Sequence, residues 1–460
     1  MNKFSNLIKL AALATAAFTC IGVAESTAAN FVMGVGDNGH GQLGNGATNS
    51  LTMPVLIDED AIAVAVGERH ALYLASDGTL YGMGDNSYGQ LGQSLIKDYR
   101  EPVVIATGVK AIAAGRLHTL YITNDGDLYG VGCNDNGQLG LSHYGTIFTP
   151  AKIASSVASV AAGYYHTLYI TTAGVLYATG DNSNGQIGNE STVDTCVPVQ
   201  VATSVASAAA GGYHSLYVAS DGKLYATGLN TYGQLGNGKT TNLTKPAEIA
   251  TGVAKVAAGR YFSMYITTDN VLYAMGDNTF GQFANGTSSS SAASTPVKVA
   301  EGIADVIAGR NQSFYFTTAG KLYASGYNNY GQLIDGSQST TSTAKEISGG
   351  VSAVATCDYT TLFLSSDYDS IYWPNYSLGG KWDTAIGWVD DTYFPWVWSY
   401  TSKAWYYVSD GKFASSSGYW MTYLKGSQNG WCYVYPGLGF WKINSSGEST
   451  WVNAGGAFAE

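Results

Sequence analysis

Charged side chains are scarce in this 460-residue chain: Asp, Glu, Lys and Arg make up 12% of it, against about a quarter in an average soluble protein. With 45% apolar residues beside so little charge, disorder maintained by self-repulsion is excluded. Basic residues are the minority, 22 against 33 acidic, for a formal net charge of -11. Such a balance does not neutralise a run of phosphates, so nucleic acid is not expected as a partner. Cysteine is rare too. Cys20 falls in the N-terminal apolar stretch, and Cys133, Cys196, Cys357 and Cys432 stand far apart without any Cys-x-x-Cys spacing. That excludes a zinc ribbon, and small buried thiols are expected in a chain large enough to dispense with disulfides. No nucleophile elbow, phosphate loop or His-Glu-x-x-His sequence occurs, so no catalytic residue, cofactor or metal ligand set is assigned.

Only one apolar run is long. Leu10 to Ala24 follows Lys3 and Lys9 and gives way to Glu25-Ser26-Thr27-Ala28-Ala29, the layout of a secretory signal peptide. The run is shorter than the roughly 20 residues of a membrane helix. Residues 1–29 are therefore expected to be removed, leaving no transmembrane segment and a secreted or cell-surface protein.

What the chain has in abundance is glycine and tyrosine, 58 and 34 residues, which suit tight turns and pleated sheets better than helices. The sequence Gly-Gln-Leu-Gly or a close variant recurs seven times, with glutamines at Gln42, Gln90, Gln138, Gln186, Gln234, Gln282 and Gln332. The interval is 48 residues five times and 50 once. An asparagine stands four residues before each glutamine, from Asn38 to Asn328, and is expected to hold a turn through left-handed geometry or an Asx hydrogen bond. A second marker, Ala-Ala-Gly followed by His-x-Leu-Tyr, carries His70, His118, His166 and His214 and decays to Phe262, Gln312 and Thr360. Between the markers lies a hairpin such as Leu120–Thr123, Asn124-Asp125-Gly126-Asp127, Leu128–Val131. Each unit therefore reads as a four-stranded sheet, with prolines from Pro54 to Pro296 expected in the long loop before its next strand.

Sheets of that size must stack to bury both faces, and radial stacking gives an all-β, seven-bladed propeller over residues 30–368. The segment Thr361–Leu364 lacks its hairpin partner, while Phe31–Asn38 is in phase with the missing piece. The two ends are expected to pair in one blade and close the ring. The histidines are expected to lock blades by hydrogen bonding, since sheet packing holds equivalent positions too far apart to share an ion.

The pattern Leu-Tyr-x-x-Gly-x-Asn-x-x-Gly-Gln-Leu-Gly, with Ala-Gly-x-x-His-x-Leu after a long loop, resembles the repeat of the regulator of chromosome condensation family, a seven-bladed propeller. The resemblance spans Asn30 to Ser366 and weakens where Phe283-Ala284 and Leu333-Ile334 replace Leu-Gly. In the nuclear members it implies chromatin binding and nucleotide exchange on a small GTPase. An exported, acidic chain fits the secreted β-lactamase-inhibiting propellers better, which bind a protein target through aromatic loops.

All ten tryptophans lie between Trp373 and Trp451, which places a domain boundary near residue 370 and a separate β-hairpin module over 372–460. This segment resembles the Trp/Tyr-rich C-terminal modules of bacterial surface proteins. Trp388, Trp396, Trp398, Trp405, Trp431 and Trp441 are its candidate contacts with envelope or sugar. In the propeller, residues that vary between repeats just before the histidine position and just before Gly-Gln-Leu-Gly should gather on one face. They supply the candidate partner-binding set Arg69, Tyr88, Arg116, Tyr164, Tyr165, Tyr213, Tyr232, Arg260, Tyr261, Phe280, Arg310, Tyr330 and Tyr359, rich in the residue types of binding hot spots. The expected function is a monomeric, non-catalytic, exported binding protein. Its partner would be an extracellular or envelope protein, with cell-surface carbohydrate as a further ligand. A polysaccharide-active enzyme and a nucleotide exchange factor are the alternatives.

Overall fold

The computed structural model describes residues 30–347 and 350–366, and five short strands between Trp396 and Val452. The expected leader, residues 1–29, and Trp388 lie outside the described residues. The chain separates into two compact units, Met1–Ser366 and Asp367–Glu460.

Each repeat folds as four antiparallel strands because short apolar runs alternate with turns that a glycine can make. The first full repeat gives β3 (Ala61–Val66), β4 (His70–Ala75), β5 (Leu80–Gly84) and β6 (Tyr99–Ala106), in the sheet order β3-β4-β5-β6. Five further sheets follow, beginning at β7 (Val109–Ala114), β11 (Val157–Ala162), β15 (Val205–Ala210), β19 (Val253–Ala258) and β23 (Ile303–Ala308). The seventh is composite. It pairs β27 (Val351–Cys357) and β28 (Thr360–Ser365) with β1 (Phe31–Gly36) and β2 (Leu51–Asp58), in the order β2-β1-β28-β27. Phe31 lies opposite Ser365 and Gly36 opposite Thr360 without a register break. The expected closure is what the chain forms.

The strands β3, β7, β11, β15, β19, β23 and β27 each touch the next, and β27 touches β3, so they line the axis of a closed seven-bladed propeller. Crowding at the axis explains their alanines. A methyl group added at Gly115 would overlap the His118 ring and lie 2.7 Å from the Gly163 carbonyl of the following blade. The core sits between blades: Leu72, Leu74, Leu80 and Leu91 of the first pack on Val109, Ile112, Ala114 and Tyr121 of the second.

One expectation is corrected and another is decided between its alternatives. Pro54 lies inside β2 and Pro102 inside β6, the outermost strands of their sheets, and not in the loops before them. An edge strand tolerates the missing N–H on its solvent side, and proline there blocks pairing with another chain. Of the two alternatives for the repeated asparagine, left-handed backbone is absent and a side-chain bond to the backbone is present. Asn86 Oδ1 accepts from the Leu91 amide at 2.9 Å and its Nδ2 donates to the Leu95 carbonyl at 2.8 Å, so it staples a loop nine residues long. The same bond to the residue five positions on recurs from Asn38 to Asn328.

The histidines bridge adjacent blades. His166 Nε2 lies 3.0 Å from Ser215 Oγ, which itself donates to the Gln186 carbonyl at 2.7 Å. A hydroxyl that has given its proton away can only accept, so His166 is the Nε2–H tautomer. His214 repeats the relay through Ser263 to Gln234, and His70 and His118 meet Thr119 and Thr167. All four Nδ1 atoms are buried without an acceptor or donor partner among the described residues.

In the second unit, β29 (Trp396–Ser399) pairs with β30 (Ala404–Tyr407), placing Trp398 opposite Trp405. The strands β31 (Trp431–Tyr435), β32 (Gly439–Ile443) and β33 (Ser449–Val452) form a sheet with Tyr433 and Trp451 on either side of Trp441.

Burial lowers the histidine pKa values from 6.5 to about 4 at His70 and His166 and to about 3 at His118 and His214. The unfolded chain therefore takes up these protons first. Stability is fully present above pH 6.5 and declines as pH falls toward the folded values, by about 1.4 kcal/mol per pH unit for each histidine. Urea unfolding between pH 7.5 and 5 should show this slope, and exchanging His166 and His214 for glutamine should reduce it by two such contributions.

Candidate binding face at the axial mouth

Because the strands of a blade alternate in direction, the turn between its first and second strands and the loop between its third and fourth emerge on the same side. Seven first turns thus ring the axial mouth, and seven loops containing Gly-Gln-Leu-Gly surround them. The glutamine fixes the outer ring. Gln90 Oε1 accepts from the Tyr88 amide at 2.9 Å, and Gln234, Gln282 and Gln332 hold Tyr232, Phe280 and Tyr330 in the same way.

The inner turns carry a charge network. Arg116 bonds Glu68 across a blade boundary, with Nη2 3.4 Å from Oε1, and its guanidinium lies over the Tyr165 ring at 5.1 Å. Arg69 Nε is 3.5 Å from the same carboxylate. Arg310 Nη1 donates to Asp358 Oδ2 at 2.9 Å, and the Tyr164 hydroxyl donates to Asp358 Oδ1 at 2.6 Å. Tyr164 belongs to the third blade and Asp358 to the seventh, so this bond crosses the mouth. Burial raises the Asp358 carboxyl pKa despite the neighbouring Arg310 and Tyr164, and raises that of the Tyr164 hydroxyl as well.

Around this network the aromatic rings form two runs. Tyr213 packs against Tyr164 and Tyr165, then stacks on Tyr261 at 5.9 Å, which stacks on Tyr232 at 4.8 Å. On the other side Tyr330 stacks on Tyr359 at 4.7 Å, and Tyr359 leads through Tyr327 to Phe280. Tyr88 and Tyr232 are 37% and 38% exposed.

The structure thus brings the two sequence-predicted rings onto one face. It withdraws one member: Tyr164 is 3% exposed and committed to Asp358, so it braces the mouth and offers no contact surface. One feature escaped sequence reasoning. Tyr327 joins the aromatic belt from a position that holds Asp37, Asp85, Asp181 and Asp277 in other repeats, a departure visible in the alignment of repeats. The arginines, by contrast, belong to the set expected from the sequence. The chain has five, and four of them, Arg69, Arg116, Arg260 and Arg310, stand in the inner turns.

One further cluster has a structural reading. His40, Asp85 and Asp98 bring ligand atoms within 4.8 Å of one another. The contact of His40 Nδ1 with Asp98 Oδ2 at 3.1 Å is, however, one copy of a loop bridge that recurs as Asn136 with Asp194 and Asn184 with Asn242, always 58 residues apart. Cys133, Cys196 and Cys357 are free thiols.

Closed ring, repeat phase and axial turns together define a propeller built from regulator-type repeats. The RCC1-like domain profile matches residues 11–251 and the Regulator of chromosome condensation (RCC1) repeat profile matches 253–282. This chain belongs to the RCC1-like domain family. No curated protein matches it significantly. Among solved structures, human WBSCR16 is 20% identical with a TM-score of 0.66, covering 74% of this chain and 99% of its own. Prp20p of Saccharomyces cerevisiae is 21% identical with the same TM-score, covering 76% and 93%. These likenesses show the fold.

Substituting Tyr164 by phenylalanine removes one hydrogen bond to a buried carboxylate and should cost about 1.5–3 kcal/mol, measured as a lower urea midpoint. Asp358→Ala should cost more, about 3–5 kcal/mol, since it leaves Arg310 unpaired.

Proposed function

We propose that this protein is an exported, non-catalytic binding scaffold that presents the axial face of its propeller to a protein partner, while the Trp-rich C-terminal unit attaches it to the cell envelope. The observation that carries the reading is the gathering of tyrosines and arginines, in two runs of ring contacts, on one face. Tyrosine offers large contact area at low entropic cost, and both residue types dominate binding hot spots. The rigidity of the blades beneath means that little ordering remains to oppose association. Prp20p was described for its binding to Gsp1p and histones, which supports protein recognition as a use of this architecture. The leader-like N-terminus supports export, and the aromatic composition of residues 372–460 supports attachment to envelope or its carbohydrate.

Capture from envelope fractions tests the reading. Full-length protein should retain a partner that the Tyr232→Ala/Tyr330→Ala double variant loses by at least about tenfold, the consequence of removing hot-spot rings. A chain ending at residue 370 should keep the partner and lose the envelope. Isolated protein should begin near Asn30. Polysaccharide turnover abolished by a single Asp or Glu substitution would overturn the non-catalytic assignment.

A further inference from the structure

Three of the four axial arginines have a carboxylate: Arg69 and Arg116 share Glu68, and Arg310 holds Asp358. Arg260 is different. Among the described residues it makes no ion pair, and its buried Nε–H, like that of Arg310, has no acceptor. Its guanidinium is 4.7 Å from the Tyr261 ring centroid and 5.6 Å from that of Tyr164. With two rings at this range and no carboxylate at ion-pair distance, its N–H donors are left for a planar acceptor.

The neighbouring blade makes room for this arrangement. Where other inner turns carry Glu68, Arg116 or Tyr164, the fourth blade has Gly212. A methyl group there would come within 3.1 Å of Arg260 Cγ and 2.8 Å of its carbonyl oxygen, so the arginine stem occupies the space that a side chain at 212 would fill. Charge adds a second argument. The inner turns hold four guanidinium groups and two carboxylates, Glu68 and Asp358, a surplus of two positive charges in a chain of net charge -11.

We propose that Arg260 is the anchor for a carboxylate of the partner, the side chain of a Glu or Asp in an extended protein segment lying between the tyrosine rings. The inference rests on the protein-binding reading and specifies its chemistry. A guanidinium fork matches a carboxylate in two parallel hydrogen bonds, which a lysine cannot reproduce. Two surplus charges suit one or two acidic side chains, whereas a long polyanion needs a stripe of them.

The five arginines give five Nε–H resonances in 15N-labelled full-length protein, each assignable by single substitution. Acetyl-tetraglutamate amide is the probe, acetyl-tetraglutamine amide the neutral control, and heparin the polyanion. Tetraglutamate should shift the Arg260 resonance beyond the other four, and Arg260→Gln should weaken the peptide about tenfold or more with its melting temperature kept. Gly212→Ala, which displaces the stem and keeps the charge, should weaken it in the same direction. An Arg260 resonance unmoved by tetraglutamate, moved equally by tetraglutamine, or moved by heparin alone would overturn the proposal, as would unchanged affinity in Arg260→Gln. The two readings separate cleanly. If Arg260 takes tetraglutamate while envelope capture fails, the anchor stands and the partner reading falls; if capture survives Arg260→Gln, the reverse holds.

Discussion

Everything on the axial face depends on the pairing of β1 with β28. An open row of seven sheets would leave β28 and β3 with unsatisfied edges and faces, and neighbouring blades supply most of each other's core. Inserting the first strand of the chain into the last blade satisfies both at once, and the six residues of β1 do so without a bulge against β28. Ring closure also fixes the distance across the mouth, which is why Tyr164 of the third blade can reach Asp358 of the seventh.

The blades are joined twice over. Apolar interfaces supply the bulk of the attraction, and the histidine relays set how one blade sits on the next. A hydroxyl that accepts from His166 and donates to Gln186 has both partners in the preceding blade, so it registers one sheet against the other in a way that leucine packing alone does not. Gln90 and its counterparts extend this precision to the surface, because the atom that holds the Tyr88 amide belongs to the same loop that the blade interface buries. The tyrosines of the outer ring are therefore fixed at their backbones while their rings face outward.

The architecture was legible because it repeats. A period of 48 residues, a hairpin at the same phase and a terminal strand without its partner were enough to derive the blade, the number of blades and the closing pair. Local bonds were less legible: proline in β6 read as loop because a sequence does not mark which strand is an edge, and Asn86 read as a turn residue because its partners lie five and nine positions on. Contacts across the axis were not legible at all. Tyr164 and Asp358 are 194 residues apart, and nothing in either repeat announces that one will be buried by the other. Arg260 was visible as a variable arginine, yet its lack of a carboxylate emerges only when the partners of Arg69, Arg116 and Arg310 are known.

Hydrogen exchange of the backbone amides tests the closure most directly. If β1 completes the ring, the amides of Phe31 to Val35 that bond β28 exchange as slowly as those of His118 to Thr123 in the second blade, through the same global opening. Exchange of the β1 amides orders of magnitude faster, while the second blade stays protected, would contradict the account.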